Sequence, residues 1–314
     1  MLFQVFMVAL LVGYLTLITF IVARLVLPSR TLHPISQNAP EVAPPRKDPT
    51  VALIDVHKSF DQPVIQGVSF KVQRGETLGI LGRSGSGKSV TLQLIVGLLK
   101  PDLGYVVFEG KDLALMNERE LLALRKRVSY VFQGGAVFDF LNVRENVAYP
   151  LREMGGMDEA MIQNRVQYLL QAVGMEDQGD LVNSELSIGA KKLVAVARAI
   201  ANDPEVLLYD EPTTGLDPLT RKSLSHHIRK LNRQEHLTSI VVTHDLKCLE
   251  IVADRIILLK NGTIRFEGNQ EEFHASSDLF VQAFIAGKRY EEEEEEAQVS
   301  DPRVPGSTFH VPRG

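Results

Sequence analysis

Gly82-Arg83-Ser84-Gly85-Ser86-Gly87-Lys88-Ser89 is a complete G-x-x-x-x-G-K-S phosphate loop. The apolar run Thr77 to Leu81 before it predicts a short buried strand, and the run Lys88 to Leu98 after it predicts a helix. That strand–loop–helix frame is the one the motif requires. Glycines at 82, 85 and 87 let the backbone curl so that its N–H groups face phosphate oxygens. The helix that follows, opening at Lys88, Ser89 and Val90, adds its positive end. Lys88 is of a length to reach the β- and γ-phosphates of a nucleoside triphosphate, and the Ser89 hydroxyl is a ligand for Mg²⁺. The fold expected from this frame is an α/β P-loop NTPase, with residues 82–90 as nucleotide-binding candidates.

A second segment matches the first. Val206-Leu207-Leu208-Tyr209-Asp210-Glu211-Pro212 is an apolar strand that ends in two carboxylates. A parallel strand buried on both faces reads as such a continuous apolar run. Asp210 is placed to hold Mg²⁺, directly or through water, and Glu211 to polarise a water that attacks the γ-phosphate. Two adjacent acids alone can also be a solvated strand end. The phosphate loop elsewhere in the same chain favours the nucleotide reading.

Four more segments complete a set. Gln133 follows the strand-like run Val128 to Phe132. Leu186-Ser187-Ile188-Gly189-Ala190 precedes a helix-like run from Lys191 to Ala201. Thr213-Thr214-Gly215-Leu216-Asp217-Pro218 follows the acidic strand, and His244 ends the apolar strand Ser239 to Val242. In this order and spacing, residues 50–287 resemble the nucleotide-binding subunit of an ABC transporter.

The resemblance implies roles for matching positions. Gln133 corresponds to the glutamine that senses Mg²⁺ and water and contacts the membrane subunit. Ser187 and Gly189 match the signature that touches the γ-phosphate of ATP held by the opposite subunit. Asp217 matches the loop residue that crosses the dimer interface, and His244 the histidine that contacts the γ-phosphate. Phe60 sits where such proteins place an aromatic ring against adenine, with ordinary core packing as the alternative. Two copies of the chain are then expected to close around two ATP molecules. One departure stands out. The signature is usually Leu-Ser-Gly-Gly-Gln, whereas Ile188 occupies the first glycine position here and Ala190 closes the segment. A β-branched residue resists backbone conformations and close approaches that glycine permits, so a weaker composite site is expected. A degenerate nucleotide-binding scaffold is the corresponding alternative, opposed by the retained Lys88, Asp210, Glu211 and His244.

The loop Phe132-Gln133-Gly134-Gly135-Ala136-Val137-Phe138-Asp139 and its continuation to Leu151 resemble the ATPase of Mla/Mce-type lipid transport systems. That resemblance implies an integral permease and an Mce-domain lipid-binding protein as partners, a phospholipid or other apolar lipid as cargo, and a place on the cytoplasmic side of the inner membrane. An ABC ATPase for another substrate is the alternative. An ABC ATPase of soluble machinery is a further one, but such proteins typically carry paired ATPase domains or long coiled-coil insertions, and this chain has a single phosphate loop.

Composition is compatible with this reading. The 314 residues suffice for one large α/β core with small additions. A net charge of −5, from 34 basic and 39 acidic residues, gives no argument for nucleic-acid binding. Cys248 is the only cysteine, so no intrachain disulfide forms. Residues 1–23 carry no charged side chain, and about 20 apolar residues suffice to span a bilayer. Residues 1–27 are therefore expected to form a membrane anchor, with Arg24 and Arg30 on a cytoplasmic flank. A cleaved signal peptide is the rival, but it would begin with a basic region that is missing here. Prolines punctuate residues 28–49, as in an extended linker. A helical subdomain is expected over about 134–190, with apolar spacing at Ile162, Val166, Leu169, Leu170 and Val173. Residues 288–314 include the acidic run Glu291 to Glu296 and are expected to be a disordered tail.

Overall fold

The computed structural model describes residues 50–288. The expected membrane anchor, proline-rich linker and acidic tail lie outside the described residues. Among the described residues, no helix is long and apolar enough to cross a membrane.

The chain runs β1 (Val51–Ser59), β2 (Pro63–Val72), β3 (Thr77–Gly82), α1 (Lys88–Ile95), β4 (Leu103–Phe108), β5 (Lys111–Asp112), α2 (Glu118–Arg125) and β6 (Val128–Val131). Helices α3 (Val143–Met154), α4 (Glu159–Val173) and α5 (Ile188–Ile200) follow. The order then continues β7 (Val206–Asp210), α6 (Pro218–Gln234), β8 (Thr238–Thr243), α7 (Leu246–Val252), β9 (Arg255–Lys260), β10 (Thr263–Gly268), α8 (Gln270–Ala275) and α9 (Leu279–Ile285).

Two sheets form. The smaller is antiparallel, in the order β2-β1-β4-β5. The larger has the order β10-β9-β3-β8-β7-β6, and only its edge strand β10 is antiparallel to its neighbour. Strands β3 and β8 are buried along their whole length, which explains their unbroken apolar character. Side chains of the parallel strands alternate between two cores. Leu208, Ile240, Val242, Ile257 and Leu259 face α1, α2 and the antiparallel sheet. Leu207, Tyr209, Val241, Ile256 and Leu258 face α3 to α7.

Register places the site. Leu81 of β3 pairs with Thr243 of β8, and Asp210 of β7 pairs with Val242 of β8. The phosphate loop, the acid pair and His244 therefore leave neighbouring strands at the same carboxyl-terminal edge, where open α/β sheets bind ligands. Val131 of β6 pairs with Tyr209, so Gln133 emerges two residues beyond the next strand along.

Local expectations held for most elements. Asp158 caps α4 by accepting from the Met161 N–H at 2.8 Å. Asn261 and Gly262 both take positive φ, 47° and 77°, and close the β9–β10 hairpin as a tight primed turn does. The signature helix differs: α5 starts at Ile188 rather than Lys191, because Ser187 caps it by accepting from the Ala190 N–H at 3.2 Å. Helix α1 stops at Ile95, short of Leu98, and the chain turns through Gly97 at φ 66°.

Candidate functional site

The phosphate loop is built around glycines that other residues cannot replace. Gly87 caps α1 at φ 98°, and a Cβ there would lie 2.5 Å from Ile65 Cδ1 and 2.9 Å from the Val64 carbonyl. A Cβ on Gly82 would lie 2.4 Å from Ser86 Oγ. Ser86 Oγ is buried and has no hydrogen-bond partner among the described residues. An orphaned hydroxyl inside a loop of this shape suits an anion as its missing partner. Lys88 is buried, and its ammonium donates to the carbonyls of Gly82 and Arg83 at 2.8 and 3.0 Å. It also lies 3.5 Å from Glu211 Oε1. Arg83 reaches outward and donates to the Lys288 carbonyl at 2.7 Å. Ser84 and Gly85 are exposed at the tip of the loop, and Val90 packs against the core between the sheets.

Asp210 and Ser89, both expected as Mg²⁺ ligands, meet in the fold: the Ser89 hydroxyl donates to Asp210 Oδ1 at 3.1 Å. A hydroxyl and a carboxylate this close offer the hard oxygens that Mg²⁺ takes. Among the described residues, no group of three His, Cys, Asp or Glu side chains forms a protein-only metal cage. Sequence reading missed the second partner of Asp210. The Tyr130 hydroxyl donates to Oδ2 at 2.7 Å, and burial, then Asp210 itself, pushes the Tyr130 pKa up.

Glu211 adopts φ 49°, a left-handed conformation unusual for a non-glycine residue and typical of strained functional positions. Its N–H donates to the Val242 carbonyl at 2.9 Å, which ties the turn to β8. Its Oε2 accepts from Thr214 Oγ1 at 3.0 Å and Thr243 Oγ1 at 3.1 Å, and lies 2.8 Å from His244 Nδ1. Burial opposes ionisation of this carboxyl. The hydrogen bond and charge of His244, followed by Lys88 and Thr214, outweigh burial and hold the pKa below the ordinary glutamate value. His244 itself is exposed, while the next residue, Asp245, is buried against Thr213 and Arg221 and caps α7.

Gln133 is exposed, and the Lys192 ammonium donates to its carbonyl at 3.0 Å. Phe60 lies just past β1 and is 58% exposed, so it is no core residue; the Lys58 ammonium stands 5.7 Å from the ring centroid. Ser187, Gly189 and Asp217 form a second group. Ser187 and Asp217 are exposed and each caps its own helix, Asp217 accepting from the N–H groups of Leu219 and Thr220 at 3.0 and 3.1 Å. Gly189 is buried, and a Cβ there would lie 2.5 Å from Thr220 Cγ2, so its small size lets α5 approach α6. Ile188 is exposed and helical, without positive φ. The backbone part of the expected signature defect is therefore missing, and only side-chain bulk remains.

The arrangement can bind a polyphosphate along the loop, hold a divalent cation between Ser89 and Asp210, and place an ionised carboxylate beside them. A family model described as ABC transporter matches residues 65–214. The chain is 38% identical over 231 residues to the intermembrane phospholipid transport system ATP-binding protein MlaF of Haemophilus influenzae, covering 74% of this chain and 88% of that protein. It is 39% identical over 229 residues to the methionine import ATP-binding protein MetN of Brucella abortus, covering 73% of this chain and 62% of that protein. The dimeric post-hydrolysis structure of the ATP-binding cassette MJ0796, bound to ADP and Pi, superposes with a TM-score of 0.63 at 32% identity, over 70% of this chain and 98% of that one. With this fold, this site and these relatives, the chain belongs to the ABC transporter family as an ATP-binding, ATP-hydrolysing subunit.

Proposed function

We propose that two copies of this chain close around two ATP molecules and use their hydrolysis to drive lipid movement through a membrane partner. The convergence of Lys88 and His244 on the Glu211 carboxylate carries the catalytic reading. The N–H groups of residues 82–90 cradle the phosphates, with Lys88 released from its loop carbonyls to reach the β- and γ-phosphates. Ser89, Asp210 and Gln133 hold Mg²⁺. When bound, that ion neutralises charge developing on the phosphate oxygens. Glu211 accepts the proton of the attacking water, and His244 orients the carboxylate and meets the γ-phosphate. Phe60 stacks on adenine. Ser187, Gly189 and Asp217 serve the ATP held by the opposite subunit.

The lipid reading rests on the Gly134-Gly135-Ala136 and Phe138-Asp139 pattern and on the likeness to MlaF. The same loop offers a docking surface. Phe138 lies between Phe140 and Tyr149, at 5.5 and 4.8 Å between ring centroids, and Phe140 and Tyr149 are exposed. Such a patch suits an integral permease, with this chain on the cytoplasmic side of the inner membrane and an Mce-domain lipid-binding protein completing the system. The near-equal identity to MetN favours a second reading, an ABC importer for a small solute. Purification in mild detergent, followed by mass spectrometry of bound lipids and partners, separates the two. Copurified phospholipid with an Mce-domain protein supports the lipid reading, and a solute-binding protein in its place supports the other.

A further inference from the structure

Lys192 is a buried ammonium that the mechanism above leaves unused. It lies on α5, one turn beyond Ser187, and is only 5% exposed. Its neighbours along the same helix face, Gly189, Ala195 and Val196, are all buried. Burying an ammonium is costly unless its donors are met. Burial lowers the Lys192 pKa, and the Glu211 charge only partly opposes that. Its Nζ donates to two backbone carbonyls, those of Gln133 at 3.0 Å and of Glu211 at 3.4 Å. Lys88 meets the carboxylate end of Glu211, so two buried ammonium groups bracket that residue.

The two carbonyls belong to parts of the molecule with different tasks. Gln133 opens the loop that carries the exposed aromatic patch. That loop runs close to α5: a Cβ on Gly135 would lie 3.6 Å from the Lys191 carbonyl and 3.7 Å from Ala195 Cβ. Glu211 stands at the end of β7 in a left-handed backbone conformation, which persists only where its surroundings hold it. The Glu211 N–H is tied to β8, and its carbonyl accepts from the Thr214 N–H at 3.3 Å within its own turn and from Lys192 at 3.4 Å, so Lys192 is the contact that reaches this carbonyl from α5. Helix α5 also begins at the exposed Ser187, so movement of that edge carries Lys192 with it.

We propose that Lys192 is a positioning residue that ties the peptide of Glu211 to the glutamine loop, so that the carboxylate is correctly aimed only when that loop is seated. This rests on Glu211 being the general base. The test is a double-mutant cycle on the full-length chain, measuring steady-state ATP turnover. Misplacing a catalytic group by a small distance lowers rate steeply, so Lys192→Met is expected to lower kcat by about tenfold or more while the KM for ATP shifts by less than about twofold. In the Glu211→Gln background the same substitution is expected to change the residual rate by less than about twofold, because no carboxylate remains to be aimed. An unchanged kcat in Lys192→Met overturns the proposal. So does an equal fold-loss in both backgrounds, which marks a merely structural lysine. Full turnover in Glu211→Gln alone overturns the base assignment first and this inference with it. If Lys192→Met does not accumulate folded, Lys192→Gln carries the same test, since its amide keeps a donor but is too short to span both carbonyls.

Discussion

His244 Nδ1 lies 2.8 Å from Glu211 Oε2, and the His244 N–H points at the same oxygen from 3.4 Å. The end of β8 thus grips the residue that ends β7, across a register in which Asp210 pairs with Val242. The grip is local, yet it exists only because the parallel sheet sets those two strands side by side. It holds the carboxylate in one orientation, which is how a preorganised site avoids reorganisation during the reaction.

Removing the imidazole tests that grip. His244→Ala is expected to lower kcat by about 10²-fold while leaving ATP binding within about threefold, because general-base and positioning effects act mainly on the chemical step. Steady-state kinetics together with titration of a fluorescent ATP analogue checks it. A large loss of binding with kcat retained would move His244 from catalysis to nucleotide binding.

Ile188 is exposed at the start of α5, with an ordinary helical backbone. Its effect is therefore one of bulk at the edge proposed to meet the opposite nucleotide. Ile188→Gly is expected to raise ATP turnover several-fold, at a cost in helix stability of about 0.5–1 kcal/mol. Turnover equal to that of the wild type removes the idea that this position slows the enzyme.

Much of the site could be read from local sequence, and the reason is physical. A phosphate loop needs its glycines and lysine within one turn of chain, and β7 announces itself by an apolar run that ends in acids. Tyr130 and Lys192 were harder to read. Tyr130 reaches Asp210 only because β6 lies against β7, and Lys192 reaches Gln133 and Glu211 only after α5 packs under the loop. A signal for Lys192 was present all the same, since a lysine in register with Gly189, Ala195 and Val196 sits on an apolar face. Phe60 could be placed only by the structure, which shows an exposed ring where sequence allowed a core residue.

Cys248 offers a probe of the core. Burial, above all, pushes its thiol up to about 11 from an ordinary value of 9.0. The folded state therefore holds a proton that the unfolded chain releases, so this group's contribution is intact below pH 9.0 and is lost as pH rises toward about 11. Folded protein is expected to resist iodoacetamide at neutral pH and to react only after denaturation. Unfolding free energies from denaturant titration should fall between neutral and strongly alkaline pH by less in Cys248→Ala than in the wild type, a difference of up to about 3 kcal/mol. Fast alkylation of native protein contradicts the buried placement.

The central claim is that ATP is held between two copies of this chain with Glu211 poised to discharge it. Sedimentation of Glu211→Gln with ATP and Mg²⁺ tests it most directly, because blocked hydrolysis traps the closed form. The account predicts a stable dimer carrying two ATP per dimer that does not form with ADP, together with a loss of turnover of about 10²-fold or more. A nucleotide-loaded chain that remains monomeric and turns over ATP at the wild-type rate contradicts it.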